Sequence, residues 1–281
     1  MRIGRTARAV IAACSGAASL LAAPASAGDI DSRLYERSFM LAAHQRCGLF
    51  DARLAQALGV AALQARGAAL LHGRPEAEVT ATAVRARAQA GRTTCRNPDL
   101  AVARDRVKSA FDGLLKTPRM TFPGARREWR ADRYARPISG WRLMQASSVG
   151  ASPVTLGMGE EGGLSAVVSW DGRPRPYAAR IVARDTARDA RPWLAEPNAR
   201  APRQAVWASS WRPAPAKQLV QGRRTGEAWM FPVSAADAIA ALDPRETFTV
   251  EFIFRDDSIA RVRFEAGDFA AARAFVGLGV V

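Results

Sequence analysis

The hydrophobic period of this chain changes once, and that change limits the folds open to it. From Asp31 to Lys116 apolar residues recur at three- and four-residue spacing, which lines them up on one face of a helix. After Pro137 they alternate every second residue, as in a strand with one buried face. A chain that keeps both patterns must pack helices and sheet together. The expected class is therefore α+β: an N-terminal disulfide-linked helical bundle, then an antiparallel β sheet or sandwich with a closing C-terminal helix.

Four helices fit the first pattern. In the first, Tyr35, Phe39, Ala43, Cys47 and Phe50 share a face. Asp51 can cap the second, which runs to about His72 and is stopped by Gly73 and Pro75. The third spans about Glu76 to Ala90 and aligns Val79, Ala83, Ala86 and Ala90. The fourth starts at Asn97 as N-cap with Pro98 in the first turn, and its stripe is Leu100, Ala103, Val107, Ala110 or Phe111, and Leu114. Residues 28–117 are thus read as the bundle, 118–137 as a basic, turn-rich connector, and 138–281 as the β domain. Each half has its own apolar pattern, so the two are expected to be separable.

Within the β region, Leu164 to Trp170 and Tyr177 to Ala183 alternate around an Asp171-Gly172 turn. Phe248, Val250, Phe252 and Phe254 face Ala260, Val262 and Phe264 in the clearest hairpin. Short helices capped by Ser234 and Asp268 punctuate the region, and residues 185–203 read as a long loop.

The first 27 residues have the three parts of a secretory signal: Arg2, Arg5 and Arg8, the apolar stretch Ala9 to Ala23, and the small-residue site before Gly28. The expected address is periplasmic or secreted, with cleavage after Ala27. A lipidated Cys14 ranks second, because Ala9 to Ala13 is too short an apolar stretch. The mature chain is expected to lack a transmembrane anchor, since its most apolar segment, Leu54 to Leu71, carries Gln56, Gln64 and Arg66.

Without Cys14, only Cys47 and Cys95 remain. An even pair in an oxidising compartment reads as one disulfide. Short connections make successive helices antiparallel and bring the ends of the first and third together, which supports the same pairing. Metal is the sharper alternative, because His44 stands one turn before Cys47. Two thiols and one imidazole still leave the set incomplete, so neither metal nor cofactor is expected.

Formal charge is +15, and +12 once the leader's three arginines are gone. An exported cationic protein meets headgroups, wall polymers and acidic proteins, which argues against nucleic acid and for an acidic envelope polymer or protein. Gly157, Gly159 and Gly162 match the dinucleotide fingerprint in letters. An alternating strand follows where a helix should begin, so they read as a hairpin tip. Two histidines, His44 and His72, no nucleophile elbow, and carboxylate pairs confined to turns (Glu160 with Glu161, Asp256 with Asp257) favour binding over catalysis.

Seven tryptophans lie at Trp129 and beyond, several beside arginine. Trp207 and Trp211 fall on one face of an extended segment, with Arg212 adjacent, as an aromatic platform requires. Residues 28–134 hold the larger formal charge, +8 against +4 for 135–281, yet they hold only one tryptophan, Trp129, and it lies in the connector. Uniform charge attracts, whereas a specific ligand also needs apolar faces to stack on. Trp207, Trp211 and Arg212 are therefore the ligand-binding candidates, and no catalytic residue is named.

The stretches Phe248 to Phe254, Ile259 to Phe264 and Phe269 to Phe275 are similar to the ending of invasion-associated locus B type periplasmic proteins, and the layout resembles exported proteins of Gram-negative bacteria. That family's paired β-domain cysteines are absent here, so the resemblance implies an address and carries over no functional residue. The function expected is non-enzymatic binding of an acidic glycan, peptide or protein partner in the envelope. A carboxylate-dependent periplasmic hydrolase and a partner module, inhibitor or assembly factor, are the alternatives.

Mass spectrometry of exported protein should find Gly28 at the N-terminus and Cys47 bonded to Cys95. Cys47→Ser should lower bundle stability by roughly 2–4 kcal/mol, and free thiols in purified material would contradict the assignment.

Overall fold

The computed structural model describes residues 27–192, 194 and 202–281. Residues 1–26 of the leader, Cys14 among them, and Trp193 lie outside these.

The fold is α+β. Helices α1 (Ala27–Cys47), α2 (Ala52–Leu71), α3 (Glu76–Arg92) and α4 (Pro98–Lys116) come first. Asp51 accepts from Leu54 N and Asn97 accepts from Asp99 N, so both side-chain caps form as the residue types demand. Gly73, at φ +85°, ends the second helical stretch. Helix α2 is the core helix of the layer. Among the described residues it alone is long and apolar enough to cross a membrane, at mean hydropathy 1.3, and half of that stretch is buried in the fold.

Cys47 and Cys95 are bonded, with Cα atoms 5.6 Å apart. Arg46 reinforces this pole: its Nη1 donates to the carbonyls of Ala90, Gly91 and Thr93, filling the unsatisfied acceptors at the end of α3. The α1 stripe differs from expectation. Ile30, Leu34, Met40 and Ala43 are buried, while Tyr35 and Phe39 are half-buried and stack on each other at 6.5 Å. The two rings cover the flank of α1. In α4 only Leu100 is buried, with Phe111 rather than Ala110 on its inner side.

Eleven strands follow among the described residues: β1 (Arg119–Pro123), β2 (Glu128–Asp132), β3 (Trp141–Val149), β4 (Ser152–Gly159), β5 (Leu164–Val168), β6 (Ala178–Arg184), β7 (Arg203–Trp207), β8 (Ser210–Pro213), β9 (Glu227–Phe231), β10 (Thr247–Ile253) and β11 (Ile259–Glu265). A seven-stranded sheet runs β1-β2-β3-β4-β5-β9-β8 and a four-stranded sheet runs β11-β10-β6-β7, all antiparallel. Leu143, Leu156, Ala166 and Val168 of the first sheet share one core with Ile181, Val250, Phe252 and Phe264 of the second.

Residues 118–137 are not the turn-rich connector their polar residues suggest. Residues 119–132 form the β1–β2 hairpin, with Phe122 and Trp129 fully buried in the main core. Its charged residues, Arg119, Glu128 and Arg130, lie on the other face of the same alternation, so a strand pair was read as a polar linker.

Two short helices close the β layer: α5 (Val233–Ala240) and α6 (Phe269–Gly277). Helix α5 begins at Val233 behind Pro232, and Ser234 lies inside it rather than at its cap. Helix α6 joins the layers. Phe269 packs edge-on to Trp129 at 4.8 Å, Phe275 lies 5.6 Å from Phe122, and Ala57 and Val60 of α2 belong to the same core. The helical and β segments therefore meet in shared apolar packing. Arg133, 1% exposed, clamps this junction by donating to the carbonyls of Leu114, Leu115, Thr117 and Gly279.

Asp268 holds the expected cap position of α6, but its side chain makes no capping bond. It is instead buried against Gly67, where a Cβ would lie 1.6 Å from Asp268 Oδ1. Burial pushes its carboxyl up to about 7, with Arg66 opposing the shift. The unfolded chain ionises near the ordinary value of about 3.9, so the folded state holds the extra proton between roughly pH 4 and 7. Stability must fall as pH rises through that window, by an amount on the order of 4 kcal/mol. In urea titrations Asp268→Asn should flatten this slope and exceed wild type in stability at pH 8. Parallel profiles for the two proteins would contradict the assignment.

Candidate functional site

Indole rings bury well but carry an N–H that needs a partner, so their placement separates core from surface roles. Trp129, Trp141 and Trp229 are buried, whereas Trp207 and Trp211 retain 49% and 41% of their surface. The two exposed rings flank the corner where the chain leaves one sheet for the other. Ala208 N donates to Ala179 O in the four-stranded sheet, and Ser209 N donates to Met230 O in the seven-stranded sheet.

Ser210 is also the register partner of Met230, so two residues oppose one. This is a β-bulge, and it reverses the alternation of side chains. Trp207 stands opposite Arg180, on the outer face, because Ala179 and Ile181 on either side point into the core. Trp211 stands opposite the buried Trp229 and so turns toward the sandwich interior at its rim. Arg212, its chain neighbour, faces the other way and pairs with Glu161 at 2.8 Å. Trp207 and Trp211 thus do not share one face, and Arg212 remains the neighbour of Trp211 alone. Simple alternation across residues 207–211 could not foresee a corner bulge.

On the outer side, a row crosses four strands in the order Arg261, Glu251, Arg180, Trp207. Glu251 uses one oxygen for Arg261 Nε at 3.0 Å and the other for Arg180 Nε at 2.7 Å. Arg180 is thereby held with its guanidinium 5.1 Å from the Trp207 ring centroid. Two guanidinium groups against one carboxylate leave the row cationic.

At the rim, Arg175 lies 3.8 Å over the Trp211 ring, which sits 6.4 Å from Trp229. Trp170 meets Phe252 and Phe254 edge-on at 5.2 and 5.1 Å. Between these rings lies Glu227, whose Oε2 accepts from Trp170 Nε1 at 3.2 Å. Burial pushes this carboxyl above its ordinary range, against the indole N–H groups of Trp170 and Trp229 and the charge of Arg175. Trp229 is buried beside Glu227, and among the described residues its Nε1 has no partner in hydrogen-bond geometry.

The other sequence candidates have structural roles. Gly157, Gly159 and Gly162 lie in or at the tip of the β4–β5 hairpin, and a Cβ on Gly157 would come within 2.0 Å of Leu143 O. His44 Nδ1 accepts from Phe50 N at 3.2 Å, and His72 Nδ1 lies 2.8 Å from Ala68 O. Asp256 accepts from Ser258 in the β10–β11 turn, and Glu160 is exposed. Among the described residues no group of three or more His, Cys, Asp and Glu side chains is placed to hold a metal ion. Sequence reasoning missed Arg175, Arg180, Glu227 and Glu251. The alternation does put Arg180 and Glu251 on polar faces, but strand pairing alone makes them neighbours.

Comparison with protein-family models, curated proteins and solved structures finds no match.

The arrangement offers indole faces flanked by guanidinium groups, together with a carboxylate and an unpaired N–H. Stacking surfaces, cationic donors and one acceptor therefore lie within reach of solvent along this corner. Arg175→Ala should raise acrylamide quenching of indole fluorescence while costing about 1 kcal/mol or less in stability. Unchanged quenching in the folded variant would show that Arg175 does not shield Trp211.

Proposed function

We propose that this protein is an exported, non-enzymatic binding protein that holds an acidic glycan of the cell envelope along the arginine–tryptophan edge of β6, β7 and β8. The observation that carries this reading is the pair of exposed indoles at the sandwich corner, each with a guanidinium over its ring. Sugar C–H faces stack on indole, and acidic substituents pair with guanidinium groups that Glu251 and the corner hold in place. The signal-like leader and the net positive charge support an envelope ligand of opposite sign. Glu227 has Trp170, Trp229 and Arg175 as its polar surroundings rather than a second carboxylate, which favours binding over acid–base hydrolysis.

Calorimetric titration with alginate, dextran and a poly-glutamate peptide tests the reading. Alginate is expected to bind and dextran to bind far more weakly, with alginate affinity falling as salt rises. Trp207→Ala and Trp211→Ala should each weaken alginate binding by roughly five- to thirtyfold, the loss of one stacking and cation–π contact. Alginate binding unchanged in both folded variants, or binding of poly-glutamate alone, would overturn the glycan assignment.

A further inference from the structure

Helix α2 has two interior glycines that differ in their reasons. Glycine is unfavourable inside a helix relative to alanine, so each position invites a physical explanation. Gly67 has one, since any Cβ would collide with Asp268. At Gly59 a Cβ would meet nothing within 4 Å. What the missing side chain leaves open is the floor of a groove of about 790 Å³ between α1, α2, α3 and α6.

Leu34 and Val60, both buried, back this groove, while half-buried Leu41 and the more open Leu63, which keeps 39% of its surface exposed, present its apolar wall. Its lining runs from Leu34 to Gln45 on α1 and from Gln56 to Arg66 on α2, so at helical rise it extends roughly 15 Å. That length and an apolar wall suit an extended hydrocarbon chain better than a compact ring, and the volume lies in the ~300–1,000 Å³ range of small-ligand sites. The charge of the lining has one sign: Arg66 and Arg87 contribute, and no carboxylate does. Arg66 is engaged by Glu76 at 2.5 Å. Arg87 is exposed and makes no ion pair among the described residues.

We propose that this groove binds one long-chain fatty acid, with the chain along Leu41, Ala62, Leu63 and Ala274 and the carboxylate at Arg87. The site is separate from the tryptophan edge and does not rest on the glycan reading. An apolar chain supplies the affinity, and the guanidinium selects an acid over a neutral chain of equal length.

The test is calorimetry on the full mature chain with laurate, myristate and myristyl alcohol below their micellar concentrations. Affinity should rise about fourfold per added methylene, the transfer value of a buried CH₂ expressed as a ratio. Arg87→Gln should weaken myristate roughly fivefold, as for one exposed ion pair, and leave myristyl alcohol unchanged. Gly59→Leu fills open space within a helix that tolerates leucine, and should weaken both ligands at least about tenfold while alginate binding stays as in wild type. Leu63→Gln, an exposed change that removes apolar wall, should weaken both as well and serves if Gly59→Leu does not fold. Absence of myristate binding, or full binding by folded Gly59→Leu or Leu63→Gln, would overturn the site. Equal affinity for acid and alcohol, unchanged by Arg87→Gln, would overturn the fatty-acid assignment.

Discussion

The burial of α6 is the interaction on which the two layers depend. Its Phe269 and Phe275 rings fill the space against Trp129 and Phe122, while its other side meets Ala57 and Val60 of α2. Neither the helices nor the sheets bury these surfaces alone. Because α6 is the last helix of the chain and α2 the second, the contact is of long sequence separation and forms only when both halves are present. Arg133 secures it through four carbonyls, with no carboxylate bonded to it among the described residues, so a cation sits at the junction with its hydrogen bonds made.

Closing the sandwich poses a second problem, since each sheet has edges with unpaired backbone groups. On one side the Gln145 side chain acts as a surrogate strand: its Nε2 donates to Glu265 O at 3.2 Å and its Oε1 accepts from Glu265 N at 2.8 Å. Trp129 Nε1 adds bonds to Glu265 O and Ala266 O. On the other side the chain itself passes from β7 to β8 and covers the gap. The bulge needed for that passage sends Trp207 outward and Trp211 to the rim, so the geometry that protects the edge also creates the exposed aromatic surface.

The two layers consequently offer different chemistries. The β layer combines indole faces with guanidinium groups fixed by Glu251 and by stacking. The groove in the helical layer is lined mainly by aliphatic groups, with Arg66 and Arg87 among them. Both are cationic, in keeping with the charge of the whole chain, and they differ in what stands beside the charge.

Local patterns along the chain are enough to specify the class, the four helices with their Asp51 and Asn97 caps, the Cys47–Cys95 pairing, and the β10–β11 hairpin. Each of these rests on local periodicity, capping chemistry or residue scarcity, which neighbours along the chain set. Tertiary structure decided the rest. The β1–β2 hairpin passed for a linker because charged side chains on one face of a strand look like polar turn sequence until the buried face, Phe122 and Trp129, has a partner. Asp268 looked like a cap, and only the approach of Gly67 from a distant helix shows why its carboxyl is buried. Simple alternation puts Trp207 and Trp211 on one face, because it is a two-residue rule. A bulge at Ser209 and Ser210 depends on where Met230 lies across the sheet, and no spacing within the segment records that.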